Sequence, residues 1–204
     1  MNILSVVLRP KSGRVLPLLL GTLSIACPRL GIAAENVSRQ LQGVATFHFS
    51  GTSTLHDFEG SVAAKPFNLE IQEGKWSASS TVDTAKMETG KKKRDANMHK
   101  MLEASRHPLL FGKVSKATIP VKGEGTAMMQ LGIRGVTHNI PLTLSKWEDT
   151  GGALSFHAEG EVSLKKFGLK PPSFLVLICV DDTIKLKCDV TAKSTPANKK
   201  EMKP

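Results

Sequence analysis

The sequence predicts an all-β fold, an antiparallel barrel of about eight strands with one short α-helix beside an opening. Three observations lead there: apolar residues alternate with polar ones along most of the chain, only one segment has helical spacing, and little else is left to cover sheet edges. Successive strand side chains point to opposite faces, so period-2 alternation marks half-buried strands. "VATFHFS" (44–50) carries Ala45, Phe47 and Phe49 in one phase, and "KWSASSTV" (75–82) carries Trp76, Ala78, Ser80 and Val82. "TAMMQLGI" (126–133) aligns Ala127, Met129, Leu131 and Ile133, and "VTHNIPLTLSKW" (136–147) aligns Val136, Ile140, Leu142 and Leu144. "TIKLKCDVTA" (183–192) aligns Ile184, Leu186, Cys188, Val190 and Ala192, with "EDTGG" and "VDD" as punctuation between runs.

The segment "GGALSFHAEGEVSLKKFG" (151–168) puts Leu154, Phe156, Ala158, Gly160, Val162 and Leu164 on one face. Its centre is Ala158 and Gly160, where a filled core favours large residues. The small pair therefore predicts an interior left open for something else.

"RDANMHKMLEASRHP" breaks the pattern with Met98, Met101 and Leu102 at helical spacing, Asp95 placed to cap and Pro108 to stop. A helix over 96–105 is expected. One helix is too little cover for a flat sheet, whereas closure into a barrel removes the edges. A two-sheet sandwich is the structural alternative. In a barrel, strand phase assigns Phe49, Val82, Met129, Leu131, Leu142, Leu144, Phe156, Ala158, Val162, Ile184 and Leu186 to the lumen as candidate ligand-binding residues.

Arg9, Lys11 and Arg14 precede the apolar run "VLPLLLGTLSIA", and small residues follow in "GIAAEN", the order of a secretory signal. Residues 1–34 are read as that signal, 35–43 as an N-terminal extension, 44–193 as the barrel and 194–204 as a disordered basic tail. "LSIAC" is loosely similar to a lipoprotein signal, which makes lipid anchoring through Cys27 the alternative. Either way a periplasmic or secreted protein is expected.

Losing residues 1–34 removes four basic residues and no acid, so the net charge falls from +10 to +6. An exported protein meets little nucleic acid, and the basic run "GKKKRD" (90–95) has no interleaved aromatic to stack on bases. A solvated turn is its ordinary reading. In an open barrel the same cations suit the phosphate of an amphiphile whose tail lies inside.

Chemistry-bearing patterns are few. The six histidines, His48, His56, His99, His107, His138 and His157, form no H-x-H, no H-E-x-x-H and no Cys-His set, so neither a metal nor a cofactor is expected. "GTSTL" is not a nucleophile elbow. Ser53, His56 and Asp57 in "STLHDFEG" offer an acid-base set for an alternative enzyme reading, against a turn whose polar groups satisfy the backbone. If Asp181 and Asp182 turn a hairpin, Val180 faces Thr183 and Cys179 faces Ile184. Cys188 then lies away from Cys179, and two free thiols are expected.

"STLHDFEG" from Ser53, "KRDANMHKMLEASRHPLLFG" from Lys93, "LGIRGVTHNIPLTL" from Leu131 and "VSLKKFGLKPPSF" from Val162 follow one another as in the YceI family of exported lipid-binding proteins, which the chain resembles over most of 44–192. The resemblance implies an extended lipocalin-like barrel with an elongated apolar tunnel, the helix beside its opening. It also implies a long-chain amphiphile, a polyisoprenoid or a fatty acid derivative, as the bound partner. The helix departs from many relatives, reading "ANMHKML" where they carry acidic and aromatic residues. The expectation is a lipid carrier without chemistry of its own; a filled barrel acting as an interaction module, a homodimer and transient contact with a membrane surface are left open.

Overall fold

A computed structural model describes residues 38–54, 56–170 and 180–194. The signal assignment at 1–34, Cys27, Cys179 and the tail from 195 onward lie outside the described residues.

Among the described residues nine strands and one α-helix follow in chain order: β1 (Arg39–Gly51), β2 (Phe58–Ala63), β3 (Phe67–Gln72), β4 (Lys75–Asp83), α1 (Lys92–Met101), β5 (Leu109–Thr118), β6 (Gly125–Ile133), β7 (Val136–Asp149), β8 (Ala153–Ser163) and β9 (Thr183–Ser194). Each strand from β3 to β9 pairs antiparallel with the next. β1 pairs with both β3 and β9 and so closes an eight-stranded barrel. The extra strand β2 continues along β1 from Thr46 to Gly51, where β3 has ended.

Several boundaries differ from those expected. β1 starts at Arg39 rather than at Val44, because Leu41 is buried and Gly43 admits the Phe67 ring of the facing strand. β2, β3 and β5 carry alternation too short or too interrupted to read beforehand; in β5, Lys116 has a positive φ of 49° at a bulge and its N–H donates to Ser77 Oγ. α1 begins and ends earlier than 96–105. Asp95 lies in its first turn and accepts from the Thr89 N–H and hydroxyl, so it organises the preceding loop instead of capping the helix. Val180 bridges Ser53 and not Thr183, so the condition of a hairpin turned by Asp181 and Asp182 is not met.

Glycines lie opposite rings across neighbouring strands. Phe67 faces Gly43, Phe49 faces Gly60 and Phe111 faces Gly132, with ring atoms 2.6 Å or less from where a Cβ would stand. Gly160 follows the same rule. Leu142 Cδ2 sits 2.8 Å from its missing Cβ, so a neighbouring side chain fills the space that the sequence reading left open there.

The two ends of the barrel differ. At the end formed by the turns after β3, β5 and β7, Trp76, Trp147 and Phe156 pack together, with ring centroids 4.8–5.5 Å apart and Trp147 stacked on Phe156 at 21°. A bulge around Lys146 makes this possible. The register of β7 against β8 shifts between Ser145 and Glu148, which turns Trp147 inward although Leu144 is already inward. Arg39 bridges Asp149 near the same end. At the opposite end lie α1, residues 52–54 and 56–57, and the β6–β7 turn.

Candidate functional site

A cavity of about 800 Å³ occupies the half of the barrel nearest α1. Its walls are apolar: Phe49, Val62, Val82, Leu110, Leu131, Val162, Ile184 and Leu186 from the strands, with Met98, Met101 and Leu102 below the helix. The volume falls within the range of sites that bury most of a small ligand. Most polar groups gather where the cavity meets α1 and residues 52–54 and 56–57, namely Ser53, His56, Asp57, Thr89, Lys91, Lys93, Arg94 and Asn97, while Ser80 on β4 adds a hydroxyl deeper in the wall. This end is the mouth.

α1 has no fully buried residue and is held across the mouth by hydrogen bonds. His99 Nε2 contacts the Met87 carbonyl at 2.8 Å, and Arg94 Nε donates to Thr89 Oγ1 at 2.8 Å. Arg134 pairs with Glu103 and ties the chain just after the helix to the β6–β7 turn. The Arg94 guanidinium lies over the Phe58 ring, 5.6 Å from its centroid, so a cation is positioned at the edge of an apolar chamber.

A second chamber of about 60 Å³ lies deeper, toward the tryptophans. Small residues line much of it: Ala45, Ala78, Gly112, Ala158 and Cys188, with Trp76, Leu142 and Phe156. Burial, and then the adjacent Asp189 carboxylate, push the Cys188 thiol up to about 12. It is a free, buried cysteine.

The lumen assignment from strand phase divides accordingly. Phe49, Val82, Leu131, Val162 and Ile184 border the large chamber, Met129 and Leu186 border both, and Leu142, Phe156 and Ala158 border the inner one. Leu144 borders neither and is sealed in the core with no exposed surface. Its phase was read correctly as inward, but the barrel is filled at that level. The helix residues and the cations of "GKKKRD" are absent from the strand-phase assignment because no period-2 rule places a helix over a barrel mouth.

The Ser53, His56 and Asp57 set reaches the mouth, but the Ser53 hydroxyl donates to the His56 carbonyl at 2.6 Å and accepts from the His56 N–H at 3.3 Å. It stabilises a turn in the backbone. His48 and His157 lie on the outer face, where His157 contacts Asp189 at 2.6 Å and Glu159 at 3.2 Å. Among the described residues no group of three or more His, Cys, Asp or Glu is arranged to hold a metal ion.

The YceI-like domain family matches residues 33–192. The chain belongs to this family. Solved structures agree on the YceI-like fold. BcnA of Burkholderia cenocepacia shares 16% identity at a TM-score of 0.59, covering 73% of this chain and 96% of that one. A polyisoprenoid binding domain from Saccharophagus degradans, implicated in plant cell wall breakdown, shares 12% at 0.54, covering 78% and 100%. The YceI protein of Campylobacter jejuni shares 18% at 0.56, covering 70% and 88%. No curated protein matches the sequence.

Proposed function

We propose that this YceI-like protein is an exported carrier that holds a long-chain amphiphile, a polyisoprenoid or a fatty acid derivative, with the tail in the lumen and an anionic head at the mouth. The observation that carries this reading is the apolar chamber of about 800 Å³ whose charged lining residues, Lys91, Lys93 and Arg94 among them, gather at one end. Each methylene moved from water into such a chamber contributes about 0.8 kcal/mol, so a long tail binds firmly without specific polar contacts. The head group adds orientation, since phosphate pairs well with guanidinium and ammonium groups.

The Saccharophagus neighbour, described as a polyisoprenoid binding domain, supports the ligand class. The basic, apolar, then small order of residues 1–34 supports export to the periplasm or beyond. Binding without turnover is supported by the occupation of the Ser53 hydroxyl with the His56 backbone. Residues 35–204, exported in a bacterial host and purified without detergent, are expected to release a stoichiometric long-chain lipid into organic solvent, identified by mass spectrometry against a mock purification. Lipid-free protein that also takes up no added isoprenoid or acyl lipid would refute the carrier reading and favour a filled barrel.

A further inference from the structure

Met129 stands between the two chambers. It borders both, together with Phe47, Ser80, Gly112 and Leu186. The side chain crosses from β6 to β5, where Gly112 has no side chain to oppose it: Met129 Sδ lies 3.0 Å from the position of a Gly112 Cβ, and Ser80 Oγ lies 3.9 Å from the same point. A side chain at position 112 would press on the thioether and make it give by a few tenths of an ångström. The partition between the chambers is thus partly one flexible, unbranched side chain lying over a glycine.

Beyond it the inner chamber is small and apolar, and it ends at Trp76 and Phe156. Methionine has three rotatable side-chain bonds and a polarizable sulfur, so it vacates or fills space at low cost compared with a branched residue. We propose that Met129 sets the tail length this protein accepts: the outer chamber takes the tail, and displacement of Met129 opens the inner chamber as a subsite for the apolar end of a longer one. This rests on the lipid-binding reading above and names the residue that selects among ligands of that class. At about 60 Å³ the inner chamber holds about two water-sized groups at about 30 Å³ each, so the subsite extends the tail by a few methylenes and no more.

The test is a series of n-alkyl phosphates, dodecyl to docosyl, titrated below their micelle-forming concentrations by displacement of a fluorescent acyl probe. In the unmodified protein the dissociation constant should improve about fourfold per added methylene, the equivalent of about 0.8 kcal/mol, until the outer chamber is full; there the gain breaks to a smaller one, because each further methylene must displace Met129. In Met129→Ala the break should move to chains about two to four methylenes longer. Adding Ala158→Phe, which fills the inner chamber from β8, should return the break to its original length. Near-ultraviolet circular dichroism from the Trp76–Trp147–Phe156 cluster verifies that each variant is folded, and Met129→Phe provides a second route, with the break unmoved or at shorter chains. An identical break in the unmodified protein and in folded Met129→Ala overturns the inference while leaving lipid binding intact. Failure of the unmodified protein to bind any chain length overturns both.

Discussion

The same barrel is built differently at its two ends. The closed end is sealed by Trp76, Trp147 and Phe156, and by Leu41, Leu69, Leu144, Leu154 and Ala192, each no more than 1% exposed. The open end has a helix with no fully buried residue, fastened by hydrogen bonds of partly exposed side chains. Close packing contributes dispersion and hydrophobic energy at every contact, whereas exposed polar fastenings contribute little net stability. The comparison teaches a division of labour. The closed end holds the barrel together, and the open end is free to carry a chamber, cations and a lightly held helix.

The sharpest way to break that comparison is to damage the closed end. Trp147→Ala is expected to cost about 3–5 kcal/mol in urea unfolding, the range for removing a large buried aromatic residue. Affinity for a ligand short enough to stay in the outer chamber should change little in the surviving folded protein. A small stability loss, or a matching loss of short-ligand affinity, would show that the ends are not separable.

The reverse experiment removes charge from the mouth. Replacing Lys91, Lys93 and Arg94 together by Gln should leave the unfolding midpoint nearly unchanged and weaken a phosphate-headed ligand by about tenfold, or about 1.4 kcal/mol, at low salt. An alcohol-headed ligand with the same tail should bind both proteins alike. Equal weakening of both would move the head group away from these cations.

The mildest test at neutral pH concerns Cys188. The thiol stays protonated to about 12 in the folded chain, against an ordinary value of 9.0, so between these values the unfolded chain binds fewer protons than the folded one. Stability should therefore fall as pH rises from about 9 toward 12, a contribution fully present below about 9. Cys188→Ala should remove that part of the alkaline loss, read from urea midpoints across the pH series. An unchanged alkaline profile would place Cys188 in a wetter interior than the inner chamber provides.

Much of the barrel was legible because period-2 alternation is a local property. Phe49, Val82, Met129, Leu131, Val162, Ile184 and Leu186 could be assigned inward from phase alone, and all of them border the large chamber. Phase does not report how far the facing wall lies. Leu144 and Leu131 have the same phase relation to their strands, yet one is sealed in the core and the other borders open space. Gly160 misled for a related reason: a small residue signals space only if no neighbour enters it, and Leu142 does. The position of Trp147 depended on the bulge around Lys146, which a regular alternation carries past without notice.

By itself the sequence determined the class of the fold, the inward faces of its long strands, the single helix and the grouping of cations before it. These follow from side-chain alternation and helical spacing along the chain. Which end of the barrel is filled, which is hollow, and that α1 lies over the hollow one were decided only by the tertiary structure. Cavities arise from the distances between walls, and those distances are set by register shifts, bulges and cross-strand partners that lie far apart in the sequence.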